Sequence, residues 1–118
     1  MAPTPLHSVR ITGNSTQNAA TSPSIPISDT AATYDVAFFQ RMVGFQSGGM
    51  AVWINEYDAS GNWLSGQWLG GRYAATTETS HMPYRPTSAA VLSVQLDLYV
   101  EANSVMTLYL DEVSFKKQ

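Results

Sequence analysis

The feature that most constrains this chain is an alternation of apolar and polar residues, which recurs with a period of two along much of its length. Successive side chains of a β-strand point to opposite faces of a sheet, so this period indicates strands that bury one face. The 3.6-residue apolar period of a capped amphipathic helix is not found in any segment. The sequence therefore predicts an all-β protein.

Turn-forming residues divide the alternating segments into about seven predicted strands. The clearest turn is the segment 58–62, in which Gly61 is free to take a positive φ, and it predicts a hairpin between the strands on either side. The predicted strands cover residues 6–12, 25–28, 34–43, 50–58, 63–69, 89–100 and 105–115.

The segments 14–26 and 70–87 are expected to be irregular apart from the short strand at 25–28. The first is rich in Asn, Ser, Thr and Pro, and the second contains Pro83 and Pro86, which cannot donate the backbone hydrogen bonds of a central strand. Short strands at this spacing predict an antiparallel β-sandwich of the jelly-roll type. A length of 118 residues is that of one domain, so a single β-sandwich domain is expected over residues 1–118.

Composition excludes several classes of function. Only 13% of residues are charged and the net charge is −3, which argues against nucleic acid as a partner because phosphate binding needs clustered Lys and Arg. Cysteine is absent, so no disulfide or thiolate site can form. No apolar run reaches the roughly 18 residues of a membrane span, so no membrane partner is expected. Residues 1–5 lack the apolar segment of a signal peptide, so if the protein is exported, the signal is expected outside this sequence or export follows another route.

Three predicted strands, 34–43, 50–58 and 89–100, share one design when their residues are divided by parity. In strands 50–58 and 89–100 the even positions form an aliphatic set, which includes Met50, Val52 and Ile54 in the first and runs from Leu92 to Val100 in the second. The odd positions combine aromatic rings with amides and a carboxylate. This candidate binding face contains Trp53, Asn55, Tyr57, Gln95, Asp97 and Tyr99.

Three further residues are candidates for the same face. Arg41, from the strand 34–43, is expected to join it at the edge. Trp63 and Trp68 belong to the return strand after the Gly61 turn, and their odd–even separation predicts that one is core and the other exposed unless a bulge intervenes.

Aromatic rings interleaved with planar hydrogen-bonding groups are well suited to a sugar. A pyranose ring presents an apolar C–H face to Trp or Tyr and equatorial hydroxyls to Asn, Gln, Asp and Arg, and each ring contact contributes on the order of 1 kcal/mol by analogy with aromatic pairs. Two other interpretations remain open: the rings pack beneath a loop, or they form a protein interface.

Three segments resemble carbohydrate-binding modules of the cellulose- and xylan-binding type, in the galactose-binding-like jelly-roll superfamily. They are residues 8–13 (SVRITG), residues 50–62 (MAVWINEYDASGN) and residues 108–115 (LYLDEVSF). The likeness extends from about Ser8 to Phe115 and rests on short motifs. It implies a jelly roll whose concave sheet holds a polysaccharide chain in an aromatic-lined cleft.

The resemblance also implies a structural Ca²⁺, held partly by the aspartate at the position of Asp111. Family members begin with an additional strand that contains an acidic residue, whereas only seven residues precede Ser8 here and none is acidic. Part of the calcium cage and one edge strand are therefore expected to be missing. No other cofactor is expected.

Three functions are compatible with these sequence features. The first is non-catalytic binding of a polysaccharide or oligosaccharide, by an extracellular module within a larger secreted enzyme or adhesin. The second is a structural or assembly role, such as virion decoration, in which the same face contacts protein, including other copies of this chain. The third, a small lyase or hydrolase, is disfavoured: Glu56 and Asp58 share the core parity, which leaves Asp97 as the one carboxylate expected on the aromatic face, whereas a glycosidase needs two.

Overall fold

The computed structural model describes residues 9–118. All regular secondary structure in this range is β-strand. The strands are β1 (Val9–Thr12), β2 (Asn18–Thr21), β3 (Ile25–Pro26), β4 (Tyr34–Ser47), β5 (Met50–Tyr57), β6 (Trp63–Arg72), β7 (Thr77–Tyr84), β8 (Ser93–Val100) and β9 (Val105–Lys117). The prediction of an all-β chain is confirmed, with nine strands in place of about seven. No helix in this part of the chain could span a membrane.

The strands form two antiparallel sheets, which pack as a sandwich. Sheet 1 has the order β1-β9-β4-β7, and sheet 2 has the order β2-β8-β5-β6, with β3 also paired to β8. Apart from the β5–β6 hairpin, neighbours in each sheet are distant in sequence, as in β1 with β9 and β5 with β8. The predicted antiparallel jelly-roll sandwich is confirmed.

Two strands lie where the sequence predicted irregular chain. β2 lies within the segment 14–26 and pairs only with β8, and β7 lies within the segment 70–87 and pairs only with β4. The expectation of irregular structure there was wrong because both are edge strands, which need a partner on one side only. Such a strand tolerates Pro83, which has no backbone N–H to donate.

A third difference concerns the predicted strand 89–100, which begins only at Ser93. The preceding residues form a turn in which the Leu92 N–H donates to the Tyr57 carbonyl at 2.9 Å. The parity rule fails in this turn, so Val91 is buried and Leu92 is exposed, the reverse of the prediction.

The core lies between the sheets and is formed by one parity of each central strand. Val36 and Phe38 of β4 and Val52 and Ile54 of β5 are completely buried. Burial of each such side chain contributes roughly 2 kcal/mol. This confirms the aliphatic parity of β5, and it leaves the opposite parity of β5 and β8 on the outer face of sheet 2.

One carboxylate lies inside this core. Glu56 of β5 is fully buried and accepts hydrogen bonds from the hydroxyls of Ser65 in β6, Tyr84 in β7 and Thr87. The Thr87 N–H also donates to Glu56 Oε2 at 3.0 Å. Because β5 and β6 belong to sheet 2 and β7 to sheet 1, this carboxylate connects the two sheets.

The surroundings of Glu56 keep it ionised. Burial by itself would raise the pKa of its carboxyl, but the hydrogen bonds from Ser65, Thr87 and Tyr84 outweigh burial and hold the pKa below the ordinary 4.5. Burial of the Tyr84 hydroxyl and its bond to Glu56 raise the pKa of Tyr84. At neutral pH the pair is therefore a carboxylate and a protonated phenol.

We expect Glu56→Gln to lower the free energy of unfolding at pH 7 by about 2 kcal/mol, because the amide nitrogen faces hydroxyl donors and cannot accept their hydrogen bonds. A carboxyl whose pKa is depressed in the folded state stabilises the fold above its unfolded pKa, and this contribution is lost as the pH falls through the folded pKa. The wild type should therefore lose stability below about pH 4.5, and Glu56→Gln should lose less. Urea unfolding across this pH range measures both effects.

The matched control is Glu78→Gln, which removes an exposed carboxylate from β7. It should change the stability by less than about 0.5 kcal/mol. Equal effects of the two substitutions would contradict the role given to Glu56.

Candidate functional site

The outer face of sheet 2 brings together six of the residues predicted from strand parity. In the register of β5 with β8, Trp53 lies opposite Asp97 and Asn55 lies opposite Gln95. Tyr57 and Tyr99 lie at opposite ends of the same surface, across from Ser93 and Ala51. This surface, with the β6 residues described next, is called the aromatic face; it consists of Trp53, Asn55, Tyr57, Trp63, Trp68, Gln95, Asp97 and Tyr99.

Trp63 and Trp68 both lie on the aromatic face, where Trp63 is opposite Tyr57 and Trp68 is opposite Trp53. Neither of them is core, since 60% of Trp63 and 52% of Trp68 are exposed, and the exception that the prediction made for a bulge applies. The cause is a register shift between Glu56 and Tyr57, which leaves Leu64 as an extra residue in β6. A bulge of one residue reverses the parity of the strand beyond it and so places both indoles on one side.

Asn55 organises the centre of this face. The Nε1 atoms of Trp53 and Trp63 each donate to Asn55 Oδ1 at 3.0 Å. Asn55 Nδ2 donates to Asp97 Oδ2 at 3.3 Å, and Thr21 Oγ1 of β2 donates to Asp97 Oδ1 at 2.7 Å. Two indoles are thus anchored by their polar edges to an amide that is itself held in place, which leaves their ring faces to contact other molecules.

A second chain of hydrogen bonds orders the Tyr57 end of the face. The Tyr57 hydroxyl donates to Gln95 Oε1 at 3.3 Å, and Gln95 Nε2 donates to the Ser22 carbonyl at 3.2 Å. Both ends of the Gln95 amide are therefore occupied, and its orientation is set before any ligand arrives.

Gly66 creates the space in which Trp53 lies. It is paired with Asn55, and a Cβ atom added to Gly66 would lie 2.6 Å from Cζ2 and Nε1 of Trp53. The indole therefore packs against the bare backbone of β6. A glycine inside a predicted strand is the sequence signal for such a close approach.

Sequence reasoning missed Tyr73, which extends the face at its Tyr99 end. Its ring packs over Gly71, and its hydroxyl donates to Glu101 Oε2 at 2.8 Å. Burial of the hydroxyl and the bond to Glu101 raise the pKa of Tyr73 to about 12. Tyr73 was missed because it lies in a segment predicted to be irregular. Tyr99, at the same end of the face, is buried.

Two other candidate residues lie on sheet 1. Arg41 is in β4, and its guanidinium carbon lies 4.6 Å from the centroid of the Tyr109 ring in β9. The expectation that Arg41 joins the aromatic face was wrong, because β4 belongs to the opposite sheet. Asp111 is an exposed residue of β9, whose Oδ1 accepts the Glu112 N–H at 2.8 Å. Residues 9–118 contain no cluster of three His, Asp or Glu side chains arranged for a metal ion.

Comparison with known proteins identifies the fold but no sequence relative: no family model and no curated protein matches the sequence. Solved structures do match. The CBM22-1 and GH10 modules of Clostridium thermocellum endo-1,4-β-D-xylanase 10B, in complex with xylohexaose, match with a TM-score of 0.60 at 10% identity, over 80% of this chain and 19% of that one. A family 16 carbohydrate-binding module matches with a TM-score of 0.56 at 12% identity, over 90% of this chain and 73% of that one.

A viral protein shares the fold as well. The enzymatically active domain of tailspike protein 4 from bacteriophage CBA120 matches with a TM-score of 0.55 at 8% identity, over 94% of this chain and 19% of that one. The chain therefore spans about a fifth of the xylanase and tailspike chains. It has the jelly-roll fold of carbohydrate-binding modules, a fold that also occurs in virion proteins.

We expect Gly66→Ala to displace Trp53, because the new methyl group needs the space that the indole occupies. The Trp53 Nε1–H should lose its bond to Asn55, which moves its indole resonance in an ¹H–¹⁵N spectrum and shifts the tryptophan fluorescence. Gly70→Ala is the matched control in the same strand, since its methyl group would meet only the flexible Met82 side chain, at 3.2 Å. An unchanged Trp53 resonance in Gly66→Ala would contradict this account of the packing.

We expect EDTA to leave the thermal midpoint of the protein nearly unchanged. The reason is that Asp111 belongs to no group of three or more potential metal ligands in residues 9–118, and one of its oxygens already accepts a backbone N–H. A metal that binds only the folded state would raise the midpoint by mass action. Melts with EDTA and with added Ca²⁺ measure this, and a large drop in EDTA that Ca²⁺ reverses would establish a calcium site at Asp111.

Proposed function

We propose that the protein binds a polysaccharide chain through the aromatic face and does not cleave it. The observation that supports this most directly is the placement of all three tryptophans of the sequence on one sheet face, with Trp63 and Trp68 more than half exposed. Exposure of two large indoles is unfavourable in water unless a ligand covers them.

The arrangement matches the chemistry of a neutral β-linked glucan or xylan. Indole faces stack on the C–H faces of pyranose rings, and the ordered Asn55, Gln95 and Asp97 side chains supply donors and acceptors for hydroxyls. The orientation of these polar groups is set by the protein, so binding costs less side-chain entropy than it would for free side chains.

A purely binding role agrees with the distribution of carboxylates. Within residues 9–118, Asp97 is the one carboxylate at the centre of the aromatic face, and it accepts hydrogen bonds from Asn55 and Thr21. Glycosidases use two carboxyl groups roughly 5–10 Å apart across a cleft. Glu56 follows Asn55 in β5, but its side chain is buried on the opposite side of the sheet.

The proposal places the protein outside the cell, where polysaccharides are found, as a module of a larger secreted enzyme or adhesin. A second candidate is a structural role at a virion surface, which the likeness to a phage tailspike domain favours. In that case the aromatic face would contact protein, including a second copy of this chain, and the tryptophans would be buried in an assembly.

We expect Trp63→Ala and Trp68→Ala each to raise the dissociation constant for a soluble β-glucan or xylan roughly tenfold, from an initial value in the roughly micromolar to millimolar range. Trp53→Ala should have a similar effect while the domain remains folded. Isothermal titration calorimetry measures the affinities, and thermal melts establish folding.

Val43→Ala is the control, because it trims an apolar side chain that is 42% exposed on the outer face of sheet 1. It should leave binding unchanged. If none of the proteins binds any polysaccharide on a glycan array, and sedimentation shows an oligomer that Trp63→Ala dissociates, the structural role replaces the proposal.

A further inference from the structure

The outer face of sheet 1 contains a row of three side chains that is distinct from the aromatic face. Arg10 of β1 and Arg41 of β4 are both paired with Tyr109 of β9, one from each side. Side chains directly opposite each other in an antiparallel sheet have Cβ atoms roughly 5 Å apart. Arginine side chains therefore start on both sides of Tyr109, and the guanidinium carbon of Arg41 lies 4.6 Å from the centroid of its ring.

These residues line a cavity of about 350 Å³ together with Phe39 and Asp111. Neither arginine forms an ion pair within residues 9–118, where the ion pairs are His81 with Asp35 and Lys117 with Asp29. The protein as a whole has a net charge of −3. Two cations on either side of one residue repel each other, and an anion bound between them would relieve this repulsion.

The backbone beside the cavity is distorted. The register changes between the pairs Phe39 with Asp111 and Ala37 with Ser114, which leaves an extra residue in β9. Glu112 has a φ of 53°, in the left-handed region that a residue with a side chain rarely adopts. Such conformations and bulges are costly, and they concentrate at functional sites, where they direct side chains.

We propose that this cavity is a second ligand site, which binds the carboxylate of a uronic acid residue in an acidic polysaccharide. Arg10 and Arg41 would donate N–H groups to the carboxylate, a geometry that guanidinium groups match well. The ring of Phe39, which lines the same cavity, would contact the C–H face of the sugar. Asp111 Oδ2, which accepts no hydrogen bond from the described residues, is available for a sugar hydroxyl.

The same aspartate selects against more highly charged anions. A phosphate monoester has two negative charges near pH 7, and the Asp111 carboxylate in the same cavity would repel it more strongly than it repels a carboxylate. The site therefore favours a singly charged anion that also has hydroxyl donors, as a uronic acid does. It lies on the opposite sheet from the aromatic face and does not depend on the polysaccharide binding proposed there.

The test uses the trisaccharide of galacturonic acid as the probe, with its neutral methyl ester as the comparison. In ¹H–¹⁵N spectra of the wild type, the acid should shift amides of β1, β4 and β9 and leave those of β5 and β6 in place. Arg10→Gln and Arg41→Gln should each weaken binding roughly tenfold or more, and the ester should bind as weakly as the variants. Raising the salt from about 50 to about 500 mM should weaken binding as well.

Three controls make the outcome decisive. Arg41→Lys keeps the charge but loses the planar fork, and should also weaken binding. Arg85→Gln removes an exposed arginine outside the cavity and should have no effect. Trp63→Ala should weaken binding at the aromatic face only, so the two proposals can fail separately. Shifts confined to β5 and β6, equal binding of acid and ester, or no binding of the acid at all would overturn the second site.

Discussion

The buried carboxylate of Glu56 is the interaction on which much of this structure depends. It accepts hydrogen bonds from β6, from β7 and from the chain after β7, and so links an edge strand of each sheet to the central strand β5. Its partner Ser65 lies directly beside the bulged residue Leu64. The bond therefore holds β6 in the register that brings Trp63 and Trp68 to one side, and the interior of the sandwich determines the chemistry of its surface.

The aromatic face is built from rigid parts. Asn55 receives two indole N–H groups, Gly66 provides the space for Trp53, and Gln95 is bonded at both ends of its amide. A surface ordered in this way loses little entropy when it binds a stiff, repetitive chain such as a polysaccharide. The same rigidity would suit a protein partner, so a structural role in a protein assembly is the competing function.

The two outer faces of the sandwich differ in chemistry. On sheet 2 the tryptophans are combined with amides and one carboxylate, which suits neutral hydroxylated ligands. On sheet 1 Arg10 and Arg41 flank Tyr109, which favours an anion. A module with both surfaces could contact two different components of a composite polysaccharide matrix, since ligands on opposite sheets do not compete for space.

The all-β class, the hairpin at Gly61 and the division of β5 and β8 into an aliphatic and an aromatic face could all be predicted from the order of the residues. These depend on the period-two alternation, which is local information. The tertiary structure sets which sheet receives each strand, and this moved Arg41 to the face opposite to the one expected. It also decided the bulge at Leu64, which exposes both Trp63 and Trp68, and the pairing of the edge strands β2 and β7. The edge pairings depend on partners more than 30 residues away in sequence, and no local pattern specifies those partners. The bulge lies within the β5–β6 hairpin, but the alternation does not show which residue is left unpaired.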